Sequence, residues 1–88
     1  MRNRIYLTGQ SECLAFCNIV KELDGRIELV DGSGRYRVNA KSIMGCLLAS
    51  AEWSESGIWI ETDPKNDYYE QLHEWIADTA DDAAFIHE

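Results

Sequence analysis

The stretch VNAKSIMG, residues 38–45, sets a hydroxyl behind a lysine and in front of two large apolar side chains and a glycine. Ser42 in that setting has two chemistries open to it. It can cap a helix, its oxygen accepting a hydrogen bond from a first-turn N–H, an interaction worth about 1 kcal/mol. It can also accept phosphate, since about two negative charges there would meet free backbone N–H groups and the positive end of a helix. Ile43, Met44, Leu47 and Leu48 follow. Ile43 and Leu47 form one i, i+4 stripe, Met44 and Leu48 the next. A short helix cannot turn both stripes inward. One pair is expected to pack on a sheet and the other to stay at least partly exposed, as a small adaptable patch with a methionine in it. Gly45 would permit close approach of another surface.

A second group of reactive types is Ser11, Cys13 and Cys17. A thiol at a helix N-terminus can have a depressed pKa and raised reactivity, and Ser11 is a further candidate cap. Cys13 and Cys17 share a helix face at i, i+4, which by spacing alone could ligate a metal. His73 and His87 are remote and no CxxC pair occurs, so no metal or cofactor is expected. His73 is expected on the outer side of a helix. No glycine-rich phosphate loop is present, and DPKNDYYE lacks the ligand spacing of a calcium loop.

The elements that must position these residues follow from periodicity. Residues 4–9 alternate Ile5 and Leu7 against Tyr6 and Thr8, as a half-buried strand does. Helix one is expected over 11–23, with Leu14, Cys17 and Val20 inward, Ile19 and Leu23 nearby, and Asp24-Gly25 closing it. Strands at 26–31 (Ile27, Leu29 inward) and 35–40 (Tyr36, Val38 inward, Arg35 and Arg37 outward) flank a GSG turn as a hairpin. A short helix follows over 42–51, then a strand over 58–62 with Ile58 and Ile60 inward. The last helix is expected over 66–79, with Tyr69, Leu72, Ile76 and Thr79 on one face and Tyr68 and Trp75 beside it. The order β-α-β-β-α-β-α, with one apolar face per strand, predicts an α+β fold. Its four-stranded, largely antiparallel sheet would carry helices on one side and solvent on the other.

At 88 residues the chain suits one small domain, and 45% hydrophobic residues suffice for a core. No apolar run approaches the ~20 residues of a membrane span, and the N-terminus lacks the core of a secretory signal. The cysteine count of three is odd and sparse for a secreted scaffold. A cytoplasmic, soluble protein is expected. Net charge is −8, which disfavours free nucleic acid as a partner. From Asn66 onward every charge apart from histidine is acidic, including Asp67, Glu70, Glu74, Asp78, Asp81, Asp82 and Glu88. That pattern reads as a solvated helix face with a frayed tail over 80–88, or as a steering patch for a basic partner.

VNAKSIMG resembles the VN-x-KSIMG segment of HPr, the histidine-containing phosphocarrier family of the bacterial sugar phosphotransferase system, and the likeness extends over residues 4–79. The resemblance implies that family's open-faced sandwich. The family opens helix one with G-[LI]-H-A-R-P-A; here the matching residues 9–15 read GQSECLA. Ser11 stands in the place of the phosphate-accepting histidine and Cys13 in that of the arginine. A serine ester lacks the labile N–P bond of phosphohistidine, so relay of phosphate to a sugar transporter is expected to be lost and no catalytic residue is assigned.

What the resemblance retains is the regulatory half. Ser42 stands where HPr kinase/phosphorylase acts, and the phosphorylated protein of Gram-positive bacteria is a corepressor of a LacI-type regulator. A paralogue, catabolite repression HPr, likewise keeps this serine without the histidine. The implied partner-contacting residues are Ser11, Cys13, Ile43, Met44 and Leu47. The function expected is therefore a protein-binding regulatory module, not an enzyme, with Ser42 as its switch. Two rivals stand beside it: an unswitched interaction module on the same fold, and residual phosphoryl or thiol chemistry at Ser11 or Cys13.

Overall fold

The computed structural model describes residues 1–53 and 55–77. The elements are β1 (Arg2–Ile5), α1 (Gly9–Val20), β2 (Ile27–Asp31), β3 (Arg37–Asn39), α2 (Ile43–Glu52), β4 (Ile58–Thr62) and α3 (Tyr69–Leu72). The four strands form one antiparallel sheet in the order β1-β4-β2-β3. Among the described residues this is an α+β open sheet with three helices, compatible with an HPr-like open-faced sandwich. Among the described residues no helix is long and apolar enough to cross a membrane.

Alternation fixes which face is covered. Ile5, Ile27, Leu29, Ile58 and Ile60 are buried and meet Phe16, Val20, Cys46 and Ala49 from the helices. The opposite face carries Arg2, Glu28, Trp59, Glu61 and Arg37. There Arg37 donates to Glu61 at 2.8 Å and to Glu28 at 3.1 Å, Arg2 donates to Glu61 at 2.9 Å, and Arg2 also lies 4.6 Å from the Trp59 ring centre. Val30 is buried on this open face because its register partners, Trp59 and Arg37, cover it.

Four expectations from periodicity are corrected. Helix α1 starts at Gly9, not at residue 11, and its inward stripe is Cys13, Phe16, Cys17 and Val20. Leu14 and Ile19 are exposed. The helix ends at Val20 because Glu22 N–H and Leu23 N–H turn to the carbonyls three residues back. Strand β1 stops at Ile5 because Tyr6 N–H goes to the Trp75 carbonyl at 2.8 Å.

Tyr36 points to solvent, not inward, with 60% exposure. The cause is Asp31, whose carboxylate accepts from Ser33 Oγ at 2.9 Å, Arg35 N–H at 3.1 Å and Tyr36 N–H at 3.4 Å, converting the start of the expected third strand into turn.

The last helix is one short turn, not residues 66–79. Asp67 accepts from Tyr69 N–H at 3.0 Å near its start, and Tyr69 is exposed while Leu72 is buried. Beyond it the chain pairs with the sheet edge. Ile76 bridges Ile5, and Ala77 N–H donates to the Arg4 carbonyl at 2.8 Å. Trp75 packs edge-on to Phe16, centroids 5.4 Å apart. Thr79 and the acidic stretch 80–88 lie outside the described residues.

The carboxylates give the fold a pH dependence with a definite sign. Burial alone would raise Asp31, but the Ser33 hydroxyl and the turn N–H groups outweigh it and hold the carboxyl below its usual value. The Arg37 hydrogen bond, with help from Arg2, lowers Glu61 against a smaller opposing effect of burial. Each group binds its proton less readily folded than unfolded. Their contribution is thus complete above the ordinary carboxylate range near pH ~4 and is lost as pH falls through the folded values. The melting temperature is expected to hold from pH 7 to about pH 5 and drop below about pH 4. In Glu61→Gln that acid drop should be shallower, as read by circular dichroism.

Candidate docking site on the second helix

Ser42 is the N-cap of α2. Its backbone is extended (φ −97°, ψ 123°) and its Oγ accepts from Gly45 N–H at 3.3 Å. The approach to this cap is fixed from both sides. Asn39 Oδ1 accepts from Lys41 N–H at 2.9 Å, and Cys17 Sγ donates to the Lys41 carbonyl at 3.3 Å. Lys21 N–H in turn donates to the Cys17 carbonyl at 2.9 Å, so Lys21 and Lys41 are each one hydrogen bond from Cys17. Neither α1 nor α2 contains a lysine or arginine. These two lysines therefore flank the helix pair at the Ser42 end, while all five arginines sit on β1, on β3 or in the segments beside β2 and β3.

The two stripes of α2 separate. Ile43 and Leu47 are half-buried and pack against the core, whereas Met44 is 73% and Leu48 48% exposed. Leu48 also borders an open groove of about 480 Å³ with Tyr36, Val38 and Glu52. Among the described residues, Met44, Leu48 and Tyr36 are thus large apolar side chains left exposed on this side. Of these, Tyr36 was missed by strand alternation. The surface that closely approaches Gly45 belongs to the same chain: a Cβ there would lie 2.9 Å from the Asn39 carbonyl oxygen and 3.2 Å from Val38 Cβ.

Ser11 and Cys13 are placed differently from what their types suggested. Ser11 is exposed in the first turn of α1 but does not cap it. Thr8 is the N-cap residue, and its N–H is taken by Glu12 Oε1 at 2.9 Å. Cys13 is fully buried, which removes it as a partner contact. Its thiol donates to the Cys46 carbonyl at 3.6 Å, and Cys46 donates to the Ala40 carbonyl at 3.2 Å. Burial pushes the Cys13 thiol up despite a hydrogen bond with Ser50, the reverse of the depression expected at a helix N-terminus. Burial together with the neighbouring Cys17 and Cys13 pushes Cys46 up to about 12. All three cysteines are free and buried, forming the seam between α1 and α2. Such thiols are poor nucleophiles. Among the described residues no His, Cys, Asp and Glu side chains group as a metal site.

His73 is exposed at the end of α3, its Nδ1 2.8 Å from the Glu70 carbonyl. None of its hydrogen bonds reaches Ser11, and His87 lies outside the described residues. The arrangement sets a helix-capping hydroxyl beside an exposed apolar patch. Compared with protein-family models, curated proteins and solved structures, the chain matches none.

Proposed function

We propose that this chain is an HPr-like, cytoplasmic protein-binding module that does not relay phosphate and whose docking is switched by phosphate on Ser42. One observation carries the reading: Ser42 caps α2 directly beside the exposed Met44–Leu48 stripe. A dianion on that hydroxyl meets the free N–H groups of the first turn and the positive helix end, with Lys41 as its chain neighbour. It also changes the charge at the edge of the apolar patch, where a partner would sense it. The partners this reading names are an HPr kinase/phosphorylase and a LacI-type regulator, and Ile43, Met44 and Leu47 are the contacts it assigns to α2. Ser11 is accessible to the same partners.

A photoreactive methionine analogue at position 44 tests the docking. Crosslinking in lysate from a bacterium that contains both partners is expected to capture one of them. Recovery of neither contradicts the reading.

One observation favours a second reading, an unswitched module. The cap to Gly45 N–H and the close packing of Gly45 on β3 are sufficient by themselves to retain Ser42 and Gly45 for folding. Under that reading the Met44 patch still docks a protein, but phosphate on Ser42 changes nothing.

A further inference from the structure

We propose that Arg4, with the small cavity beside it, binds a carboxylate carried on a short branched aliphatic group. Arg4 stands apart from the other paired arginines of the sheet. Its guanidinium lies 5.3 Å from the Tyr6 ring centre and rests on Gly57, where an added Cβ would come within 3.4 Å of its Cζ, Nε and Nη2. Among the described residues, no carboxylate forms a salt bridge with it, and its Nε is buried without a hydrogen-bond partner. A buried unpaired donor is costly, and a guanidinium lodged between a ring and a glycine, with no carboxylate on it, can donate to a planar anion.

The cavity beside it says what the anion is attached to. It has a volume of about 90 Å³ and is lined by Leu7, Trp53 and Ile58, all buried, in addition to Arg4, Tyr6 and Gly57. That is far below the ~300 Å³ at which pockets for larger ligands begin, and corresponds to about three water molecules. An apolar floor of this size takes a short branched alkyl group, with the carboxylate held at the rim by Arg4. A net charge of −8 disfavours a dianion such as phosphate, which a single arginine would not neutralise. The carboxylate can come from a free acid or from the C-terminus of a peptide ending in an aliphatic residue. The site uses none of the residues assigned to docking at Ser42.

The test is a titration of the full chain, followed by ¹H–¹⁵N NMR at Gly57, the Trp53 indole and Arg4 Nε. Three probes are used: isovalerate, its neutral amide, and a peptide ending in valine with a free C-terminus. Saturable shifts confined to these groups are expected with isovalerate, with the peptide, or with both. A response to the free acid assigns a small-molecule site, and a response to the peptide alone assigns a chain terminus. The amide is expected to bind at least tenfold more weakly, and this comparison requires no variant. Arg4→Gln and Arg4→Lys should each lose the response while retaining the wild-type spectrum elsewhere. Absence of saturation with both carboxylates overturns the proposal, as does equal binding of the amide.

Discussion

Phe16→Ala is expected to lower stability by about 3–5 kcal/mol, the range for emptying a buried aromatic site. Phe16 is fully buried and is the largest side chain of the α1 stripe. Its ring meets Trp75 edge-on, and Trp75 belongs to the segment that hydrogen-bonds the outer edge of β1 through Tyr6 and Ala77. The loss therefore spreads from the helix layer to the pairing of residues 75–77 with the sheet. A chain of this length has a total stability of about 4–13 kcal/mol, so the substitution takes a large share of it. At roughly 4–8 °C per kcal/mol the melting temperature should fall by at least about 12 °C. Ile19→Ala on the same helix, at a side chain 38% exposed, should cost much less. A loss below about 1 kcal/mol for Phe16→Ala in denaturant unfolding would show that α1 is not seated as described.

Met44→Asp is expected to leave the fold intact and weaken docking at least about thirty-fold. The side chain is 73% exposed, so its replacement removes little from the core, and surface changes of this kind usually fall within about 0.5 kcal/mol. A central apolar anchor in a protein interface, by contrast, costs about 2 kcal/mol or more when lost, and a charge placed in the patch adds desolvation. Leu47→Asp provides the contrast. Leu47 packs against the core, so that variant should lose stability and binding together. Affinity for the HPr kinase/phosphorylase, measured with the melting temperature on the same samples, separates the two variants. Unchanged affinity in Met44→Asp would remove the patch from the interface.

Much of this architecture is written in alternation. Ile27 and Leu29, Ile58 and Ile60 each declare one buried face, and the structure seats all four in the core. The cap at Ser42 was equally legible, because a serine before an apolar helical run has few other roles. Two misreadings arise where two readings compete for the same apolar residues. In α1 the stripe of Leu14, Cys17 and Val20 and the stripe of Cys13, Phe16, Cys17 and Val20 share two residues, and the volume of Phe16 decides between them. Beyond Leu72 the apolar spacing of Trp75 and Ile76 suits a helix as well as a turn followed by edge pairing. Tertiary contacts with Phe16, Ile5 and Arg4 select the latter. At Tyr36 the strand pattern was overridden by a side chain five positions earlier, Asp31, which no periodicity registers.

The candidate site was less legible than the fold. That one stripe of α2 packs while the other is exposed follows from helix geometry; which one does so depends on Gly45 sitting against Val38 and Asn39. The cavity at Arg4 leaves no trace in the sequence beyond two side chains, Arg4 and Tyr6, on the same side of one extended segment.

The most direct measurement of the central claim is intact-mass and fragment mass spectrometry after incubation with HPr kinase/phosphorylase, ATP and Mg²⁺. A single phosphate is expected on the wild type, assigned to Ser42, and none on Ser42→Ala. A wild type that stays unmodified, or a Ser42→Ala chain that still takes up phosphate, would contradict that claim.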